Sequence, residues 1–292
     1  MGRWFIALML VLALAVPAYA LQFEKENVEV GLEYAYSHQD VEDINLIGGG
    51  YGDFSVGLVE KVSNVKVWDF AATLGYKIND AVTPYVVLGT AFLNLDQELK
   101  GNISGSDWSD SLTILTTQLR DASGFLIGMG AKGDVLKFDN GIIVAYDTRW
   151  TTFNTSSTER EATAFGEYGV SNKMKASLGE FYIDTVVKKY FDLTKETKNE
   201  DGTVTITKKY KVEGITPFIG GRWTHSDLNV KNNLTIPVDE GSIGINTESE
   251  YQGNMLSAIG GITIKINKNL DASIGGIVGQ ENGVQVKVGY SF

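Results

Sequence analysis

The sequence predicts an all-β protein: a single up-and-down antiparallel transmembrane β-barrel of about ten strands, with eight to twelve compatible with the pattern. Three observations predict it. Apolar and polar residues alternate with a period of two through most of the 292 residues, as in strands that separate two unlike environments. Connections alternate between short turns and long polar stretches, the arrangement of membrane-spanning barrels. The chain also opens like an exported one. Arg3, the apolar stretch Trp4 to Val16 and Ala18-Tyr19-Ala20 read as a signal peptide over 1–20, which leaves the barrel in 21–292.

Taken in order, Val28, Val30, Leu32, Tyr34 and Tyr36 share one face against Glu29, Gly31, Glu33 and Ala35. Trp68, Phe70, Ala72, Leu74, Tyr76 and Ile78 oppose Asp69, Thr73, Gly75 and Lys77. Phe125, Ile127 and Met129 oppose Gly128, Gly130, Lys132 and Asp134, and Ile142, Val144, Tyr146 and Trp150 oppose Asp147 and Arg149. Phe181, Ile183 and Val187 oppose Glu180, Asp184 and Lys188. Leu256, Ile262 and Ile264 oppose Ser257 and Lys265, and Ile274 and Val278 oppose Asp271. The last strand sets Val284, Val286, Val288, Tyr290 and Phe292 against Gln285, Lys287 and Gly289. Two strands are less clean. Tyr85-Val-Val-Leu88 is apolar on both faces, and its echo Ile215-Thr-Pro-Phe-Ile219 resolves the facing. An arginine at the bilayer midplane costs about 2–4 kcal/mol, so Arg222 points inward, with Pro217, Ile219 and Trp223 outward.

The ten strands are expected at 28–38, 65–78, 83–95, 124–138, 141–153, 173–191, 213–225, 252–266, 270–280 and 284–292. Asn79-Asp80, Asp139-Asn140-Gly141 and Asn267-Lys268-Asn269 are the short turns. The polar stretches at 97–123, 154–172 and 226–251 read as surface loops, and 193–212 as a longer hairpin at the short-turn end. Residues 39–64 leave a choice: a connection, or one more hairpin that makes twelve strands. A soluble sandwich also alternates, but export, strand length and aromatics near strand ends favour a barrel in lipid, where only a closed barrel satisfies every backbone group.

Composition excludes several classes. There are 25 basic against 36 acidic residues, so no basic footprint for nucleic acid is present. Cysteine is absent, so no disulfide holds the fold, and no apolar run beyond the signal is long enough for a spanning helix.

The stretch Leu74-Gly-Tyr-Lys-Ile-Asn-Asp-Ala-Val-Thr-Pro-Tyr-Val-Val-Leu-Gly89 resembles a hairpin of small outer-membrane barrels of the OmpA transmembrane-domain type. The terminal Tyr290-Ser-Phe292, with Val284, Val286 and Val288 before it, is similar to the C-terminal signal of Gram-negative outer-membrane proteins. That resemblance implies residence in the outer membrane, contact with its lipid and lipopolysaccharide, and reading of the last strand by the barrel-assembly machinery.

The expected lumen-facing charges are Glu29, Glu33, Asp69, Lys132, Asp134, Asp147, Arg149, Glu180, Asp184, Arg222, Lys265 and Lys287. Paired, they plug the lumen. With interior glycines leaving room, they line a narrow pore, since ten or twelve strands fall between a filled barrel and an aqueous channel. A structural barrel or narrow porin-like pore is therefore the leading expectation, with loop-mediated binding second. Rim hydrolysis of the omptin type is third. His38 and His225, the two histidines, lie near carboxylates, but without the omptin Asp-x-His spacing. The acidic stretches lack a calcium-loop spacing, and no cofactor or metal motif is present, so no enzyme is expected.

Overall fold

A computed structural model describes residues 25–39, 44–51, 54–105, 108–155, 158–164, 168–198, 204–208, 212–238 and 241–292. The signal-peptide reading of 1–20, with the chain entering the barrel domain at Leu21, lies outside them. A short 3-10 turn, Lys25–Asn27, precedes fifteen strands. They are β1 (Val28–Gln39), β2 (Ile44–Tyr51), β3 (Phe54–Tyr76), β4 (Thr83–Gly105), β5 (Trp108–Lys137), β6 (Ile142–Thr155), β7 (Thr158–Ala164), β8 (Tyr168–Lys189), β9 (Phe191–Asp192), β10 (Thr194–Lys198), β11 (Val204–Lys208), β12 (Gly214–Val238), β13 (Gly241–Lys265), β14 (Leu270–Gly279) and β15 (Glu281–Ser291).

Ten of these form a closed antiparallel wall, β1-β3-β4-β5-β6-β8-β12-β13-β14-β15, and β15 returns to β1. The seam is fully paired. Val30 faces Tyr290, Leu32 faces Val288, and the Phe292 amide donates to the Val28 carbonyl at 3.1 Å. An all-β up-and-down barrel is thus the architecture, and both described ends of the wall lie at the short-turn end.

Turn chemistry sets that end. The Asn267 side chain accepts from the amides of Asn269 and Leu270. Gly141, at φ 77°, occupies the left-handed region a glycine tolerates best. The hairpin that resembles the OmpA type forms with Gly75 opposite Tyr85 and Leu74 opposite Val86. The expected polar hairpin is present as β10 paired with β11.

At the other end the structure departs from expectation. The stretches read as loops are strand extensions: β12 and β13 stay paired from Gly214–Lys265 out to Val238–Gly241. β4 and β5 pair out to Gly105–Trp108, and β7 pairs with β8. The segment 39–64 adds no spanning hairpin, because β2 pairs with the outer part of β3. β5 runs 30 residues, whereas a tilted span needs about 9–11.

The outer surface explains why one chain keeps both lengths. Within the span, the outward residues are apolar and bare: Leu32 is 65% exposed, Ile219 69%, Leu256 68% and Val278 68%. A monomeric soluble protein rarely shows such a continuous band, and hydrocarbon is the solvent that suits it. Aromatic pairs border it, Tyr36 with Trp68 and Phe181 with Trp223 toward the extensions, Tyr290 with Phe292 at the short-turn end. Beyond the band the pattern inverts: Lys175, Lys231 and Glu248 face out while Met174, Val230 and Tyr251 are buried inside. On β3 and β5 this inversion occurs at bulges, marked by positive φ at Asn64 and Asp121. β4 clamps both: Asn64 donates to Asp96, and Asn94 accepts from the Asp121 amide.

Candidate functional site

The lumen is the candidate site, and it has three levels. Toward the extensions lies an apolar layer, beside which buried Asn172 donates to Thr117 and Asn232. Val62 and Val65 of β3, Leu93 and Leu95 of β4, Leu119 of β5, Met174 and Leu178 of β8, Val230 of β12 and Tyr251 of β13 are almost fully buried in one cluster. These side chains come from strands around most of the wall, so they close the cross-section as a soluble core would. The puzzle of Tyr85-Val-Val-Leu88 ends here: Tyr85, Val87, Ala91, Leu93 and Leu95 all point inward and are buried.

Below that layer charges cross the lumen. The wall places opposite charges side by side, with Lys132 facing Asp147, Asp184 facing Arg222 and Glu33 facing Lys287. Arg149 reaches from β6 to Glu33 on β1 with two bonds, at 2.7 and 2.5 Å. Arg222 binds both oxygens of Asp184, at 2.7 and 2.8 Å, and its other side is 3.7 Å from Glu281. Between the guanidiniums lies the Tyr182 ring, 5.4 Å from Arg149 and 4.2 Å from Arg222. The Tyr85 hydroxyl donates to Asp147 at 2.5 Å. Gln39 donates to Glu180 across the full width, from β1 to β8, at 2.6 Å. Asp69 points into this layer, with its Oδ1 buried and unsatisfied.

Nearest the short turns the lumen opens into a chamber. There Lys132 pairs with Glu29 at 2.8 Å and Lys188 with Asp134 at 2.7 Å. Lys287 sits between the chamber and the charged layer, 3.6 Å from Glu33 and 3.5 Å from Asp147. Lys265 is apart from these groups. It stands at the rim, opposite Asp271 in register, with its Nζ 6.0 Å from the Tyr190 ring.

Interior glycines do not leave a bore. A Cβ on Gly130 would lie 2.5 Å from the Tyr85 ring, and one on Gly31 2.5 Å from the Thr73 hydroxyl, so neighbours already fill that room. Sequence reasoning missed Tyr182, Gln39 and Glu281. Glu281 lay in an expected turn, yet it begins β15 and accepts from Thr224 at 2.9 Å.

The two histidines are not brought together. They stand four strands apart in the wall, on the same side of their strands as Tyr36 and Trp223, which border the apolar band. His225 stacks on Trp223 and meets Asn254 at 3.0 Å and Asp227 at 3.4 Å. Among the described residues no group of three His, Cys, Asp or Glu side chains is arranged to hold a metal. The acidic residues 40, 42, 43, 107, 239 and 240 lie outside the described residues.

No family model matches the chain, and no curated protein matches its sequence. Among solved structures it is similar in shape to the outer membrane protease OmpT of Escherichia coli: 10% identity, 94% of this chain and 99% of that one, TM-score 0.43. It is also similar to the β-domain of the Bordetella autotransporter BrkA: 13% identity, 91% and 100% covered, TM-score 0.41. A third likeness is the translocator domain of the autotransporter NalP of Neisseria meningitidis: 13% identity, 100% and 98% covered, TM-score 0.33.

Proposed function

We propose that the chain is an outer-membrane barrel with a closed lumen, a structural protein that carries a rigid β-structured platform beyond the membrane. The apolar layer from Val62 to Tyr251 carries this reading. A water-filled pore needs a continuous polar path, and an apolar cross-section removes it. Of the two expectations for the lumen, plug and pore, the plug is therefore favoured. Outer-membrane residence rests on the apolar band, the closing strand Val284 to Phe292 and the exported-type start. The resemblance to the OmpA type supports that location, and the lipid, lipopolysaccharide and assembly-machinery contacts it implies come with it.

In this orientation the short turns face the periplasm and the extensions the exterior. Surface binding through the extensions is the second reading. Paired strands such as β12 with β13 carry the chain well beyond the apolar band, as positioned recognition segments require. Hydrolysis at the rim is the third reading: His225 meets Asn254 and Asp227, and it stands four strands away from His38. Purified protein in planar bilayers provides the test. The closed-lumen reading expects insertion without conductance steps, and reproducible steps from folded protein overturn it.

A further inference from the structure

The chamber at the short-turn end is a concave space that the closed-lumen reading leaves without a task. It comprises two adjoining cavities of about 370 and 260 Å³, which share Glu29, Lys132, Asp147, Ser273 and Lys287. Its inner end is stopped by the Arg222–Asp184 and Arg149–Glu33 pairs, so a solute enters and leaves by one mouth. Most of its charges are already committed to partners, as Lys132 is to Glu29 and Lys188 to Asp134.

Two are not. Asp271 makes no hydrogen bond or ion pair within 4 Å among the described residues, although Lys265 stands opposite it in register. Gly289 leaves the room its carboxylate occupies, since a Cβ there would lie 3.0 Å from Oδ1. Lys287 is held only at 3.5 and 3.6 Å, beyond hydrogen-bond length, by carboxylates that Tyr85 and Arg149 already engage. Asp271 faces Gly289 and Lys287 faces Ser273, so the two are diagonal neighbours about 7–8 Å apart on adjacent strands. In the larger cavity Phe218 lies over Gly275, with Ile259 and Ile277 beside it, an apolar wall next to the two charges.

We infer that this chamber binds a small zwitterion of the amino-acid class, its ammonium on Asp271, its carboxylate on Lys287 and an apolar side chain against Phe218. The balance of signs in the chamber disfavours a plain anion or cation. Either would leave one of the two underused groups facing a like charge. A carboxylate without an ion pair and a loosely held ammonium beside an apolar wall fit a molecule that carries all three features.

The test titrates detergent-folded protein with L-phenylalanine by calorimetry and by ligand-observed NMR. Saturable binding is expected, with none for N-acetyl-phenylalanine amide, which lacks both charges. Asp271→Asn and Lys287→Gln should each weaken binding at least about tenfold, the weight of a hydrogen bond to a charged group. Lys287→Arg should restore it, and that separates lost recognition from lost folding. Gel mobility of unheated samples reports that each variant is a closed barrel. No saturation by about 10 mM, equal binding of the blocked analogue, or undiminished affinity in folded Asp271→Asn and Lys287→Gln overturns the assignment. Because this readout is binding and not conductance, its failure is separate from failure of the closed-lumen reading.

Discussion

Replacing Glu33 by Gln tests the charged layer where it is most fully committed. Glu33 and Arg149 are 2% and 5% exposed at their side chains and joined by two bonds across the lumen. Removing one charge leaves the other buried and uncompensated, which costs about 3–5 kcal/mol, whereas an exposed pair is worth about 0–1. Gln285 and Lys287 also lean on Glu33 and cannot replace it, since neither carries the negative charge that would balance the guanidinium. Urea unfolding in lipid vesicles, followed by tryptophan fluorescence, should show that loss for Glu33→Gln. Replacing both partners by Met should recover most of it, because an apolar pair of similar volume is often neutral. The double-mutant cycle should give a coupling of about 2 kcal/mol or more. A Glu33→Gln loss under about 1 kcal/mol, or a coupling near zero, refutes a desolvated pair across the lumen.

Three further outcomes follow from other levels. Leu93→Ala should destabilise by about 2–5 kcal/mol in the same assay, because the site is fully buried among fixed neighbours. Leu256→Arg, on the lipid face, should cost about 2–4 kcal/mol near the midplane, while Lys231→Ala on the polar outer face should stay within about 0.5. Hydrogen bonds from Lys137 and Lys77 hold the Asp80 carboxyl at the short-turn end down at about 2, from an ordinary 3.8. As a depressed acid, it contributes stability that is full above 3.8 and is lost as pH falls toward 2, so a carbon-13 NMR titration should place its midpoint below 3.8.

The wall was legible because a span in lipid leaves a strong mark. Val284 to Phe292 alternates without a fault, and the structure seals it to β1. Arg222 alone sufficed to orient β12, since the cost of facing lipid leaves one choice. The extensions were illegible for a physical reason. Outside lipid their outward residues are Ser, Thr, Asn and Lys, as in loops, and the bulges at Asn64 and Asp121 shift the inward parity on β3 and β5. The doubly apolar Tyr85-Val-Val-Leu88 was the one visible trace of the inner core. Pairings across the lumen, such as Gln39 with Glu180 at a separation of 141 residues, leave no local pattern to read.

Closure of the lumen is the central claim, and the cysteine-free chain allows a direct measurement of it. Single Lys132→Cys, Val62→Cys and Leu93→Cys variants, folded in vesicles, are exposed to a membrane-impermeant maleimide from both sides. The structure predicts labelling of Lys132→Cys from the short-turn side only, and no labelling of Val62→Cys or Leu93→Cys until the barrel is unfolded. Labelling of folded Leu93→Cys at the rate of Lys132→Cys would mean that water runs through the barrel, and would contradict the account.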